Sequence, residues 1–287
     1  MNIKLPFGMQ QGKLVDIMSV ESGLACNCFC PSCGKQLIAK KGNINEHHFA
    51  HYHSEDCNRG VETALHIKTK DILINNTSIV LPPVYFDNRI LHPDTIVQYN
   101  NVLLEKRLNN IIPDIIIHVK GKPLLIEISV THMVDWSKKQ KIFLSGYSAI
   151  EIDVKNLFNP LYKIFGFKDF EKRLIEDVNG KRWINNVKLN DFIEKMKSNS
   201  IHRNVNTLGS PFYLTFVNDC PLNKKVWQGG SFKGKIYANV YEDCSGCKYG
   251  DISEIKDSKV VNCFGHYQPE IDKIITNYLK KPKIEDM

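Results

Sequence analysis

Apolar positions along the chain alternate between two periods, and the switches between them divide it. In VETALHIKTKDILI, Ala64, Leu65, Ile67, Ile72 and Ile74 recur at mixed helical spacings, which predicts an amphipathic helix of about three turns. The Pro82-Pro83 pair then breaks regular structure. Three strand-like runs follow: IVQYNNVLLEKRL, interrupted at Asn100-Asn101, then DIIIHV, then PLLIEISV. Lys120-Gly121-Lys122 is the turn between the last two. WSKKQKIFLSG reads as a second helix ending at Gly146, a residue suited to the left-handed position after a helix. SAIEIDV makes a fourth strand. The expected order is helix, three-strand antiparallel meander, helix, and a strand that returns after the crossover.

The flanks have a different texture. Residues 1–60 read as short strands and turns around cysteines and histidines, with a hairpin in QLIAKKGNINEHHFAHY turning at Gly42-Asn43. Residues 156–205 read as mainly helical, most clearly in EKRLIEDV and LNDFIEKMKS, and short strands return near Pro211. No internal repeat is visible. The pattern predicts an α+β or α/β protein in four parts: 1–60, 61–155, 156–205 and 206–287.

Composition narrows the class. Of 287 residues, 43% are hydrophobic and 24% charged, which excludes a disordered or collagen-like chain. No apolar run approaches the roughly 20 residues that cross a bilayer, and the N-terminus lacks a long apolar stretch. A cytoplasmic protein without a membrane partner is expected. Nine cysteines, an odd number, favour metal ligands or reactive thiols over a disulfide framework. The net charge is +7, and residues 154–200 alone carry +4. That excess suggests phosphate contacts by a helical segment around Lys172, Arg173, Lys181 and Arg182, with a solvated helix face as the plain alternative. Residues 156–287 are also a candidate surface for a protein partner or for self-association.

Two cysteine sets have zinc-like spacing. Cys30-Pro31-Ser32-Cys33 is a C-x2-C followed by Gly34, and His48 and Cys57 complete a Cys3His set. His51 competes with His48, because on a strand the two face opposite ways. The second set is Cys220, Cys244, Cys247 and Cys263, again around a C-x2-C. A reduced thiol cluster is the plain alternative for each. Cys26 and Cys28 fall outside both sets and read as packed strand thiols.

The middle of the chain is acidic where strands are expected. Asp114 opens the second strand and Glu127 lies within the third, so both carboxylates can meet one hard divalent ion, Mg2+ or Mn2+. A Glu inside LLIEISV is costly to bury without a cation, whether a metal or a nearby Lys or Arg. Glu62, His66 and Lys70 recur at i, i+4 and i+8 on one helical face. Ser129 and His132 follow Glu127, and His132 reads equally as a proton shuttle or as a capping histidine.

CPSCGKQLIAKKG, HHFAH with Cys57, ETALHIKTK, IIPDIII and LLIEISVTH resemble the CoiA-like competence protein family over roughly residues 1–155. The resemblance implies a bacterial PD-(D/E)xK-type nuclease core with an N-terminal zinc-binding segment. It implies Glu62, His66 and Lys70 as the first-helix motif, and Asp114 and Glu127 as metal carboxylates. The superfamily's lysine, two residues after the Glu, is Ser129 here. Lys70 or Lys138 could supply the missing charge; Lys70 is favoured, because Lys138 sits with Lys139 and Lys141 in a run that reads as solvated. A metal-dependent nuclease acting on DNA is expected, with DNA uptake and recombination, repair, or defence against foreign DNA left open as settings. The alternative is a catalytically inactive, zinc-stapled nucleic-acid-binding or assembly protein.

Overall fold

The structure, a computed structural model, describes residues 4–53, 57, 59–158, 167–209, 213–255 and 258–279. It divides into two compact units: Met1–Pro83 with Asp94–Asn186, and Val84–Pro93 with Val187–Met287. The expected division at 60, 155 and 205 differs from this. Phe7, Leu37 and Phe49 from the first part and Leu65, Ile126 and Ile150 from the second share one buried core, so the chain does not separate there.

The first unit opens with β1 (Phe7–Gln10), β2 (Lys13–Asp16), β3 (Gly23–Phe29), β4 (Gln36–Lys40) and β5 (His48–His51). They form one sheet in the order β2-β1-β3-β4-β5. The hairpin expected across Gly42-Asn43 is present, with Leu37 opposite His51 and Lys40 opposite His48. Cys26 and Cys28 are buried on β3, as expected of packed thiols. Helix α1 spans Gly60–Asn75, longer than the apolar pattern indicated. It buries Ala64, Leu65, Ile72 and Leu73, while Ile74 stays exposed.

The run IVQYNNVLLEKRL is not one strand. β9 (Thr95–Gln98) pairs with β6 (Ser78–Leu81), and β10 (Asn100–Leu104) joins a different sheet. The break falls at Tyr99 rather than at Asn100-Asn101. Its N–H donates to the Thr77 carbonyl at 2.8 Å and its buried hydroxyl to the Leu73 carbonyl at 2.7 Å, pinning the crossing point to the end of α1.

The second sheet runs β10-β11-β12-β13-β14, with β11 at Ile115–Val119, β12 at Lys122–Ser129, β13 at Ser148–Asp153 and β14 at Lys181–Asn185. β10, β11 and β12 are antiparallel neighbours, joined at Lys120-Gly121 by a tight turn with both φ angles positive. β13 pairs parallel to β12 after helix α2 (Trp136–Ser145), which Asp135 caps at its start and Gly146, at φ 71°, ends. The expected meander, helix and returning strand are therefore present. Strands at Ser78–Leu81, Val84–Phe86 and Arg89–His92, where none was expected, and the split-off Thr95–Gln98 come between α1 and the meander. Both sheet faces are covered. Ile115, Ile117, Ile126 and Ile150 join the large core with α1, whereas Ile116, Leu125 and Ala149 pack on Ile142 of α2. Two buried faces explain apolar runs that hardly alternate.

Residues 156–205 are not a helical segment throughout. Short α3 (Val154–Leu157) and α4 (Phe167–Glu176) belong to the first unit, and β14 adds a fifth strand to its sheet. α5 (Val187–Ser198) starts the second unit. There, β7 (Val84–Phe86) and β8 (Arg89–His92) make a hairpin, and Phe86 and Leu91 pack with Met196, Tyr249, Phe264 and Ile271. A three-stranded sheet, β15 (Ile201–Asn204), β21 (Ser258–Cys263) and β20 (Gly250–Ile255), lies in the same unit. So does a four-stranded one: β16 (Asn206–Leu208), β17 (Leu214–Asn218), β19 (Ile236–Asn239) and β18 (Lys225–Val226). Helix α6 (Gln268–Leu279) ends the described chain. No helix among the described residues is long and apolar enough to cross a membrane.

Candidate functional site

The C-x2-C turn folds because Gly34 accepts a φ of 71°, letting its N–H return to the Cys30 carbonyl at 2.9 Å. Ser32 and Cys33 then aim their N–H groups at the Cys30 sulfur, and Lys35 aims its N–H at the Cys33 sulfur. That N–H bond to Lys35, with the His51 contact assisting, lowers the Cys33 thiol to about 7. Burial pushes the Cys30 thiol up to about 11. Cys30 and Cys57 sulfurs are 3.5 Å apart, and Cys33 Sγ is 3.2 Å from His51 Nε2.

The ligand atoms of Cys30, Cys33, His51 and Cys57 all lie within 4.8 Å of one another. The histidine is His51, not His48. Three positions along a strand reverse the side-chain direction, and His48 Nδ1 instead lies 2.7 Å from the Glu46 carbonyl. Three thiols and one imidazole suit tetrahedral Zn2+, so the cluster could bind one zinc. Gly60 fits the same reading. A Cβ there would lie 3.3 Å from Cys57 Sγ and 3.5 Å from Cys30 Sγ, so the start of α1 packs directly against the sulfurs and a larger residue would press on Cys57.

The acidic constellation lies on the central sheet. One step beyond the Ile115–Ile126 pair, Asp114 faces Glu127 across β11 and β12. Asp114 Oδ2 accepts the Ile128 N–H at 2.8 Å. Glu127 is 1% exposed; Lys138 donates to its Oε2 at 2.6 Å, while its buried Oε1 has no hydrogen-bond partner. Burial raises the Glu127 carboxyl to about 7; the Lys138 bond and charge oppose that rise and Asp114 adds to it.

The first helix contributes from the side. Glu62 Oε2 accepts the Thr131 hydroxyl at 3.2 Å. His66 feels Asp114, Lys70, Glu62 and Lys138, but burial dominates and lowers it, so its imidazole is neutral near pH 7. Lys70 does not reach the carboxylate pair: its ammonium pairs with Glu105 at 2.7 Å. Lys70 is the lysine expected to face the carboxylates; the one in contact with Glu127 is instead Lys138. Lys138 lies one turn before the buried Ile142, on the side of α2 that meets the sheet, and its long stem carries the ammonium to Glu127. Ser129 is buried with its hydroxyl 3.4 Å from the Ile152 carbonyl, and His132 is exposed.

Sequence reasoning missed Glu151. It is fully buried, in register with Glu127 on β13 and with Arg182 on β14. Arg182 donates twice to Glu151 Oε2, at 2.8 and 2.6 Å, and Val134 N–H donates to Oε1 at 2.8 Å. Asp114, Glu127, Glu151 and Arg182 thus form a charged row across four strands. A second acidic residue inside SAIEIDV was the available signal.

Two other expectations change. Lys172, Arg173, Lys181 and Arg182 are not a free basic helix face. Lys181 is buried on β14 with its ammonium 3.0 Å from the Val80 carbonyl, Arg182 holds Glu151, and Arg173 donates to the Leu157 carbonyl at 2.8 Å. Cys220, Cys244, Cys247 and Cys263 do line one small cavity, along with Arg203, Lys224 and Asp243. Among the described residues, however, only the first cluster has its ligand atoms gathered within bonding reach of one ion.

A mixed α+β fold with a Cys3His cluster at the start of its first long helix defines the protein's class. Residues 19–59 match the family model of the competence protein CoiA, N-terminal domain. The match covers the C-x2-C turn, His51 and Cys57, and it supports the resemblance to the CoiA-like competence proteins over that segment. No match was found among curated proteins or among solved structures.

Proposed function

We propose that the protein is a metal-dependent nuclease with a PD-(D/E)xK-type core, cutting DNA in preference to RNA. The observation that carries this reading is the pair Asp114 and Glu127, with Glu127 Oε1 buried and unpartnered beside a second carboxylate. An orphaned carboxylate oxygen at such a site fits a hard cation, Mg2+ or Mn2+. When bound, that ion supplies Lewis acidity for a phosphodiester and acidifies water. Asp114 and Glu127 hold it, and the Ile128 N–H fixes the orientation of the Asp114 carboxylate. Lys138 provides the positive charge for the phosphate, taking the place of a lysine at position 129. His66, neutral and next to Asp114 and Glu62, is suited to accept a proton from the attacking water. Glu62, tied to Thr131, orients water at the edge of the pair.

Zinc has a structural part in this proposal, at the Cys30, Cys33, His51 and Cys57 cluster and at a second site of Cys220, Cys244, Cys247 and Cys263. The second set is supported by its shared cavity and by the Cys247 N–H returning to the Cys244 carbonyl at 3.1 Å, the turn of a C-x2-C knuckle.

The test is cleavage of plasmid and of labelled oligonucleotides, with and without added Mg2+ or Mn2+. Asp114→Ala and Glu127→Ala should abolish cleavage while the circular dichroism spectrum stays unchanged. No cleavage by the parent protein with either metal, but retained DNA binding, would move the assignment to an inactive nucleic-acid-binding protein. Equal cleavage by both variants would place the chemistry elsewhere.

A further inference from the structure

Helix α2 carries large apolar side chains on the wrong side. Ile142 is its one fully buried residue, packed against Ile116, Leu125 and Ala149. On the opposite arc of a 3.6-residue helix lie Trp136, Phe143 and Leu144, with exposures of 74%, 57% and 79%. Met133, just before the helix, is 60% exposed. An aromatic pair so exposed on one helix face is not explained by the core.

Charge identifies what covers it. Lys139 and Lys141 border the apolar arc on its two sides, and the helix carries no acidic residue. Its third lysine, Lys138, is two residues from Trp136 and contacts Glu127 at 2.6 Å. The helix therefore joins an aromatic outer face, a basic border and the carboxylate pair. Phosphates match the lysines, and the rings need a flat partner. A duplex hides its base faces in the stack, whereas an unpaired strand presents them, and base-on-aromatic stacking does not depend on sequence.

We propose that the outer face of α2 is a stacking platform for single-stranded DNA. Trp136 and Phe143, about two helical turns apart, each stack a base of the strand while Lys139 and Lys141 hold phosphates beside them. The choice of ligand rests on the nuclease reading above. The platform makes single strands, or unpaired ends of duplexes, the substrate class.

The experiment measures binding of a fluorescein-labelled oligothymidylate, and of a duplex of equal length, in buffer without Mg2+ or Mn2+. Cleavage then plays no part, so failure of the nuclease reading and failure of the platform are read separately. Trp136→Ala should weaken single-strand binding about tenfold, the scale of one lost stacking contact, with little change for duplex. Trp136→Phe should restore most of it. Unaltered single-strand affinity in Trp136→Ala overturns the proposal. So does an equal loss for both DNA forms, or light scattering showing that the parent is a dimer that Trp136→Ala dissociates, since the face would then serve a second copy of the chain.

Discussion

Replacing Lys138 with Met separates the charge on α2 from the carboxyl it serves. Glu127 is 1% exposed and its carboxyl is raised to about 7 from 4.5, chiefly by burial, with the Lys138 bond resisting the rise. The folded chain holds this proton to about pH 7, the unfolded chain only to about 4.5. Stability from this group is therefore full below 4.5 and falls as pH rises to 7, by about 3 kcal/mol at about 1.4 kcal/mol per unit. Lys138→Met removes the group that resists, so the folded pKa rises further. Between 4.5 and 7 the parent and the variant both keep the proton and lose stability in parallel. Above 7 the parent ionises and levels off, while the variant keeps falling at about 1.4 kcal/mol per unit. By about pH 8.5 the curves should have separated by up to about 2 kcal/mol beyond any constant offset. Urea denaturation followed by circular dichroism, from about pH 5 to about pH 8.5 without Mg2+ or Mn2+, reads the separation. In a Glu127→Gln background the pH-dependent part should vanish. A Lys138→Met deficit that is constant across the range, or that persists with Gln at 127, would refute the coupling.

Three further outcomes are expected. His51→Ala should lose one equivalent of zinc by elemental analysis, whereas His48→Ala should keep it; the reverse would return the ligand to His48. Cys244→Ser should also lose one equivalent from a parent carrying two, and a parent with one would remove the second site from the proposal. Lys181, lowered to about 7 from 10.5 by burial, binds fewer protons folded than unfolded between those values, so its contribution rises with pH there. Lys181→Met should remove about 2–3 kcal/mol of that rise between pH 7 and about pH 9, and an unchanged slope would contradict it.

Where an apolar run or a helix was bounded by turn or cap residues, the sequence was legible. DIIIHV and PLLIEISV became β11 and β12 with the Lys120-Gly121 turn between them, and Asp135 and Gly146 bounded α2. The failures came from partners far along the chain. IVQYNNVLLEKRL has no local break strong enough to announce two sheets; Tyr99 makes the break by reaching Leu73 and Thr77. KRWIN was hidden because Lys181, buried and bound to the Val80 carbonyl, reads in sequence as a solvated charge. The site followed the same rule. Asp114 and Glu127 could be paired from strand order, but choosing Lys138 over Lys70 depended on which helix face met the sheet. Periodicity alone leaves that rotation free by about one residue.

The thiol cluster is tied through α1 to Glu62 and His66, the residues that flank the carboxylate pair. Gly60 donates its N–H to the Cys57 carbonyl at 3.2 Å and sits against two of the sulfurs, so the cluster fixes where the helix begins. Glu62 comes two residues later and His66 one turn beyond, so an error in that starting point passes directly to both. Asp114 and Glu127 depend on different supports: they sit on adjacent strands among Ile115, Ile116, Leu125 and Ile126, with Ile128 N–H on Asp114. The third support is Glu151, which holds Val134 N–H and with it the connection from Thr131 to the Asp135 cap. Losing zinc should therefore loosen Glu62 from Thr131 and move His66 while leaving the carboxylate pair in place. Losing Glu151 should instead free Lys138 and Thr131 together. In the proposed chemistry the first fault would weaken handling of the attacking water, and the second would remove the charge meant for the phosphate. The two supports thus act on opposite sides of one reaction, although neither touches the ion that the carboxylates would hold.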